Sequence, residues 1–264
     1  MYAFEYRKAA STEDAESGFT AADDASFLAG GMTILPTLKQ RLAQPSDLID
    51  LSGIESLSGI SVEGGTVTIG AMTCHADVAA SADVQSAIPA LAALANLIGD
   101  PQVRNRGTIG GSIANNDPAA DYPGAVVGLN ATVHTTKREI AADDFFTGLF
   151  ETALDEGELI TKVVFPVPEK AAYRKFPNPA SRYAIVGAFV AKTSDGIRVA
   201  ITGAGPTVFR VTEMEADLSE SFSADAIKDI AIPQDDLNSD LHASAEYRAH
   251  LIGVMASRAV GDCS

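Results

Sequence analysis

Residues Phe27–Lys39 read FLAGGMTILPTLK, and residues Thr108–Asp121 read TIGGSIANNDPAAD. Each places an apolar stretch next to two adjacent glycines and a hydroxyl-bearing residue. ASFLAGG reads as a short buried strand ending in glycines. Thr33 stands where it can N-cap a helix whose apolar positions Ile34, Leu35, Leu38 and Leu42 follow helical spacing. Pro36 falls in the first turn of that helix, where a missing N–H does no harm, and Pro45 follows its end. Glycine permits positive φ and close approach of backbone to a ligand. Successive amides in such turns form anion-holding concavities, and a helix N-terminus beyond adds partial positive charge. A single glycine pair is a common loop device, but two pairs with the same neighbours suit two linked phosphates. No lysine accompanies either pair, which disfavours a nucleoside triphosphate with magnesium. A diphosphate held by neutral amides points instead to a dinucleotide such as FAD.

The second pair runs on into ANNDPAAD. Asn115, Asn116, Asp117 and Asp121 offer donors and acceptors where the ribityl or ribose hydroxyls of a dinucleotide would lie. Asp117 is equally suited to N-cap a helix beginning at Pro118, and Asp121, in that helix's first turns, complements its dipole. Arg104 and Arg106 either steady the preceding loop or face a partner.

Working outward, the 264 residues are 46% hydrophobic, enough for one large domain or two modest ones. The 19 basic and 35 acidic residues leave a net charge of −16 and no basic block, so a nucleic-acid partner is not expected. Cys74 and Cys263 lie far apart, outside any ligand spacing, and fit a reduced, cytoplasmic setting without disulfides or an iron–sulfur site. No export signal and no membrane-spanning run is visible.

FEYRKAASTEDAES reads as a strand and a helix start, DLIDLSGI as a strand, and GISVEGGTVTIGAMT as a hairpin turning at Gly64-Gly65. SAIPALAALANLIGD reads as a buried helix. The stretch after it reads as a loop, a glycine turn, a second loop and the helix begun by Asp117-Pro118. ELITKVVFPVP closes the region as a strand. YAIVGAFVAKTSDGIRVAITGAG is a hairpin turning at Asp195-Gly196, followed by two helical segments. The last of these carries Tyr247, Leu251 and Met255 on one face. The change of texture places a boundary near Pro168–Ala172.

Catalytic signatures are missing. The chain has no GxSxG, HExxH, GxxxxGK[ST] or GxGxxG. His75, His134, His242 and His250 are scattered and read as surface or structural residues. Asp143-Asp144 and Asp235-Asp236 read as turn or helix-start acids. No catalytic and no metal-binding residue is expected in this chain.

The two glycine segments, with VTIGAMT, DFFTGLFETALDEGELITKVVFPVP and YAIVGAFVA, resemble the FAD-binding medium subunit of molybdenum hydroxylases. Carbon monoxide dehydrogenase medium chains and the flavin part of xanthine dehydrogenase are of this type. The similarity covers nearly the whole chain. It implies an α+β fold, with a two-subdomain, PCMH-type FAD-binding domain over residues 1–170 (subdomains about 1–55 and 56–170). A C-terminal domain of small antiparallel sheet plus helices would span 171–264. It further implies that Ala29, Gly30, Gly31, Met32 and Thr33 wrap the FAD diphosphate, with Thr108, Ile109, Gly110, Gly111 and Ser112 as the second wall. Asn115 and Asp121 fall where the family contacts the flavin's hydroxyl chain and phosphates, and Leu159 or Ile160 where it touches the isoalloxazine. Lys175 and Tyr183 fall near positions that cover or neutralise the ring. Met32 and Thr33 depart from the family's usual His or Gln and Ser, changes that binding through backbone tolerates. RKFPNPASRY is proline-rich where relatives are more basic.

The resemblance implies an oxidoreductase subunit that relays electrons through FAD to an external acceptor. The molybdenum cofactor would sit in a large partner subunit and [2Fe-2S] clusters in a small one, in a dimer of heterotrimers. The complex would be cytoplasmic, with attachment to the inner face of the membrane left open. This division of labour accounts for the absent catalytic constellation, because the flavin carries the chemistry. Two rivals are a self-contained flavoenzyme of the same fold, such as a vanillyl-alcohol-oxidase-like oxidase or a UDP-N-acetylenolpyruvylglucosamine reductase, and a non-catalytic module that lost FAD. The segment after Ala171 is short for the oxidase, neither His75 nor His134 suits either flavoenzyme, and two intact glycine segments disfavour the module without FAD.

Overall fold

The computed structural model describes residues 1–263. The chain begins with three short parallel strands, β1 (Glu5–Lys8), β2 (Ala25–Leu28) and β3 (Asp47–Asp50), in the order β1-β3-β2. Helix α1 (Thr12–Ala21) joins the first two and is capped by Ser11, whose hydroxyl accepts from the Asp14 amide at 3.1 Å. Helix α2 (Ile34–Lys39) follows β2. Two expectations are corrected at this point. The Thr33 hydroxyl makes no capping bond, and Leu42 lies beyond the helix, 74% exposed. β2 is half-buried rather than buried, because its end opens onto a cavity.

A five-stranded antiparallel sheet follows, ordered β4-β5-β10-β6-β7. The first pair, β4 (Ile60–Glu63) and β5 (Thr66–Gly70), turns on Gly64 and Gly65 at φ +58° and +79°, the mirror-image turn that matches strand twist. Between β5 and β6 (Thr132–Thr135) lie the helices α3 (His75–Ala80), α4 (Ala82–Ala87), α5 (Pro89–Asn96), α6 (Pro101–Arg104), α7 (Ile109–Asn115) and α8 (Tyr122–Gly128). The expected glycine turn at TIGGS is therefore the first turn of a helix, and the helix expected at Asp117-Pro118 starts only at Tyr122. Asp117 instead closes a local turn by accepting from the Ala119 amide at 2.8 Å. Beyond β7 (Glu139–Ala141) come α9 (Ala142–Phe145), a tight hairpin of β8 (Phe146–Gly148) and β9 (Glu151–Thr152), and β10 (Ile160–Pro166).

The last sheet, β11-β12-β13-β14, is built from β11 (Lys170–Pro177), β12 (Ala184–Thr193), β13 (Gly196–Thr202) and β14 (Phe209–Arg210). β12 is buried nearly throughout because both faces are covered, which matches its unbroken apolar run. Tyr173, Phe189, Ala191 and Ala200 pack with the five-stranded sheet's core. Ala172, Val186, Ala188, Val190 and Ile201 pack with α10 (Thr212–Glu220), α11 (Ala224–Ile227) and α12 (Ala245–Asp262). Three helices follow β14 where two were expected. On α12 Leu251 and Met255 are buried, whereas Tyr247 sits at the rim with its ring edge-on to Phe176. Among the described residues no helix is long and apolar enough to cross a membrane.

Asn116, in the left-handed region at φ +41°, ends α7 and is 1% exposed. Its amide donates to the carbonyls of Gly148 and Glu151 at 2.8 and 2.7 Å and so fixes the β8–β9 hairpin. Replacing Asn116 with Ala leaves both carbonyls unpaired and puts a less tolerant residue at positive φ. The expected result is a loss on the order of 2–4 kcal/mol, read by denaturant unfolding, with protease cleavage appearing first at the hairpin.

Candidate functional site

The two glycine segments meet in the middle of the molecule. A β-carbon on Gly30 would collide with the carbonyl oxygen of Arg106. One on Gly110 would lie 2.7 Å from the carbonyl oxygen of Ala71, which already accepts the Gly110 amide at 2.8 Å. Glycine is thus required at both for close backbone packing; positive φ is needed only at Gly31, +74°.

The segments differ in what they offer a ligand. Thr108 caps α7, its hydroxyl accepting from the Gly111 amide at 3.1 Å. Ile109 donates to Thr73 and Ser112 to Thr108, so the first-turn amides of α7 are already bonded. Among the described residues no acceptor is found for the amides of Gly31, Met32, Thr33 and Ile34. These four line a cavity of about 720 Å³, large for a small-molecule site. An open run of amides about a left-handed glycine is an anion-binding arrangement.

The cavity gathers the sequence candidates Ala29, Gly30, Gly31, Met32, Thr33, Thr108, Gly110, Gly111, Ser112, Asn115, Asp121, Leu159, Ile160 and Tyr183. Two lie outside its lining. Ile109 is fully buried in the core beneath, and Lys175 is engaged elsewhere. Its ammonium donates to Asp121 Oδ2 at 2.9 Å and to the carbonyl of Leu97 at 3.0 Å. Tyr173 donates to Asp121 Oδ1 at 2.5 Å. Burial pushes the Asp121 carboxyl up, with Lys175 and Tyr173 pulling against it. Both oxygens of Asp121 are thereby occupied by protein. Asn116 is likewise structural, as described above.

Several further residues of the lining are not among the candidates read from the sequence. Phe19 and Phe27, stacked with ring centroids 4.7 Å apart, join Leu51 and Met72 around Leu159. Ile98 and Gly99 form another stretch of wall, held by Arg104 and Arg182 on their carbonyls. His75 is buried in the lining rather than on the surface, and burial together with the charge of Arg104 lowers it to about 4, so its ring stays neutral.

The cavity's carboxyls are individually handled. Burial raises Asp117, which has no cationic partner. Burial would also raise Glu158, but Arg138, Thr135 and the Asp155 amide overcome it and bring the group to about 2. Those bonds, at 3.0 Å from Arg138, 2.6 Å from Thr135 and 2.8 Å from the Asp155 amide, pin the strand that presents Leu159 and Ile160.

A family model described as FAD binding domain in molybdopterin dehydrogenase matches residues 2–168, and one described as CO dehydrogenase flavoprotein C-terminal domain matches 171–263. The carbon monoxide dehydrogenase medium chain of Hydrogenophaga pseudoflava is 38% identical over 90% of this chain and 88% of its own length. The nicotine 6-hydroxylase medium subunit of Paenarthrobacter nicotinovorans is 35% identical over 98% and 96%. A solved structure of the Hydrogenophaga carbon monoxide dehydrogenase, in a form lacking the Mo-pyranopterin moiety, superposes with TM-score 0.88 at 37% identity, covering 98% of this chain and 96% of that one.

The Glu158 carboxyl sits well below its ordinary 4.5 in the folded chain, so it stabilises the fold above that value and ceases to as pH falls through about 2. Glu158→Gln should lower stability at pH 7 by on the order of 1–3 kcal/mol. The gap between variant and wild type should close as unfolding is followed from pH 4.5 down towards 2.

Proposed function

Because this chain belongs to the family of FAD-binding subunits of molybdopterin dehydrogenases, oxidoreductases of several subunits, we propose that it is the electron-transfer subunit of a molybdenum-containing hydroxylase or dehydrogenase. Its partners are a large subunit with the molybdenum cofactor and a small subunit with [2Fe-2S] clusters, in a dimer of heterotrimers acting in the cytoplasm. The observation that carries this reading is the run of unbonded amides from Gly31 to Ile34, in the same cavity as Gly111 and Ser112.

The residues fit a dinucleotide. The Gly31–Ile34 amides suit the diphosphate, and Gly111 leaves room for it, with the hydroxyls of Ser112 and Thr33 at hand. Asn115 and Asp117 offer partners to a hydroxyl chain, while Leu159, Ile160 and Tyr183 give apolar surface for flat rings. Lysine is not needed for this, and two of the cavity's acids are already paired, Asp121 with Lys175 and Glu158 with Arg138, while burial raises the third, Asp117. The chemistry FAD supplies when bound is electron exchange between the iron–sulfur clusters of the small subunit and an external acceptor. The protein's part is to bind, orient and shield it, with no acid, base or nucleophile of its own.

Carbon monoxide and nicotine, named for two relatives of similar identity, share little chemistry. A cavity common to such relatives is suited to what they share, and substrate choice belongs to the molybdenum subunit.

Purified protein should be yellow, absorbing near ~450 nm, or take up FAD on reconstitution, and should co-purify with the two partners. A chain that refuses FAD both alone and with its partners contradicts the proposal. At Gly111 a β-carbon meets Thr108 Oγ1 at 3.0 Å and Ala29 Cβ at 3.4 Å, so valine fills the gap between the two segments. Gly111→Val should weaken FAD binding by at least about tenfold while circular dichroism stays that of the wild type. Unchanged affinity would rule out this placement of the diphosphate.

A further inference from the structure

Between α7 and α8 the chain crosses the cavity as an irregular turn, Pro118–Asp121, of which Ala120 and Asp121 face the lining. Such a turn cannot hold its own carbonyls in place. Gly124 N of α8 donates to Asp121 O at 3.1 Å, and the donors to the other three carbonyls come from the C-terminal sheet and the residue that follows β13. Gly203 N donates to Pro118 O at 2.8 Å, Ala184 N to Ala119 O at 3.2 Å, and Thr202 Oγ1 to Ala120 O at 2.6 Å, its one proton shared with Pro118 O at 3.1 Å. Register explains the convergence. Lys175, Gly187 and Thr202 are cross-strand neighbours on β11, β12 and β13. Lys175 reaches Asp121, Thr202 reaches Ala120, and the glycine between them leaves space for Thr202 and for Tyr173. A β-carbon on Gly187 would lie 2.8 Å from the Thr202 methyl and would also strike the Tyr173 hydroxyl that binds Asp121.

We propose that the row Lys175–Gly187–Thr202 sets the position of the cofactor-lining turn, with fully buried Thr202 as the positioning residue that links the C-terminal sheet to cofactor affinity. This rests on the FAD reading given above. Thr202 touches no ligand; it acts through the carbonyls of Pro118 and Ala120. A polar cross-strand row inside an apolar sheet is costly unless its polar members are bonded. The Thr202 hydroxyl is used on that one turn, and Lys175 divides its bonds between Asp121 of the turn and the carbonyl of Leu97.

The test uses the full chain with its co-purifying subunits, stripped of flavin and titrated with FAD, following quenching of free-flavin fluorescence. Thr202→Val keeps the shape and removes the donor; Thr202→Ser keeps the donor. T202V should bind FAD about tenfold more weakly, and T202S within about twofold of wild type. T202V at saturating FAD should also show a displaced visible flavin band, which a loss of global stability alone does not produce. Wild-type affinity and spectrum in T202V, whatever its unfolding midpoint, overturn the inference. If T202V does not fold, T202A, which also removes the donor, is judged in the same way, and wild-type affinity in T202A overturns it. Failure of the wild-type protein itself to take FAD overturns the underlying reading instead, and this inference with it.

Discussion

At Gly30 the main chain lies so close to the carbonyl of Arg106 that no β-carbon fits between them, and at Gly110 a second contact of the same kind is made with Ala71. The first sets the loop after β2 directly against the chain that leads into α7, and the second seats the start of α7 on the end of β5, both without intervening side chains. Everything else about the cavity follows from that closeness. The loop after β2 is left with four open amides, the Thr108 cap fixes α7 beside it, and the space between is walled by backbone. A side chain at Gly30 would force the two segments apart, and one at Gly110 would lift α7 off Ala71.

A chain of net charge −16 is an awkward host for an anionic ligand, and the structure resolves this locally. Asp121 and Glu158 face the cavity already bonded to Lys175 and Arg138. His75 is held neutral by burial, so it adds no titrating charge near neutral pH. Neutral amides are then what the cavity offers an anionic ligand, and the overall charge is left to act on solubility.

Much of the fold was legible in the sequence because its signals are local. Gly64-Gly65 and Asp195-Gly196 mark hairpins, and the run AIVGAFVAK announces a strand buried on both faces. The misread elements depend on distant partners. TIGGS resembles a turn because glycine pairs usually serve conformation, yet Gly110 serves contact with Ala71, which no local pattern reveals. β11 was hidden by Pro177, a residue tolerated there because the strand lies at the sheet edge and ends at that proline. At the site, the glycines stood out but their unequal roles did not, since only the fold shows which amides are already bonded. Phe19, Ile98 and His75 reach the lining through packing between separate elements and carry no motif.

The central claim is that FAD lies between the two glycine segments, against the turn held by the C-terminal sheet. Amide hydrogen exchange, compared with and without FAD peptide by peptide, tests it most directly. The structure predicts new protection concentrated in Gly30–Ile34, Thr108–Asn115 and Pro118–Asp121, strongest for the amides of Gly31 to Ile34 that have no acceptor in the protein. FAD binding that leaves those segments unchanged, or that protects a different region, would contradict it.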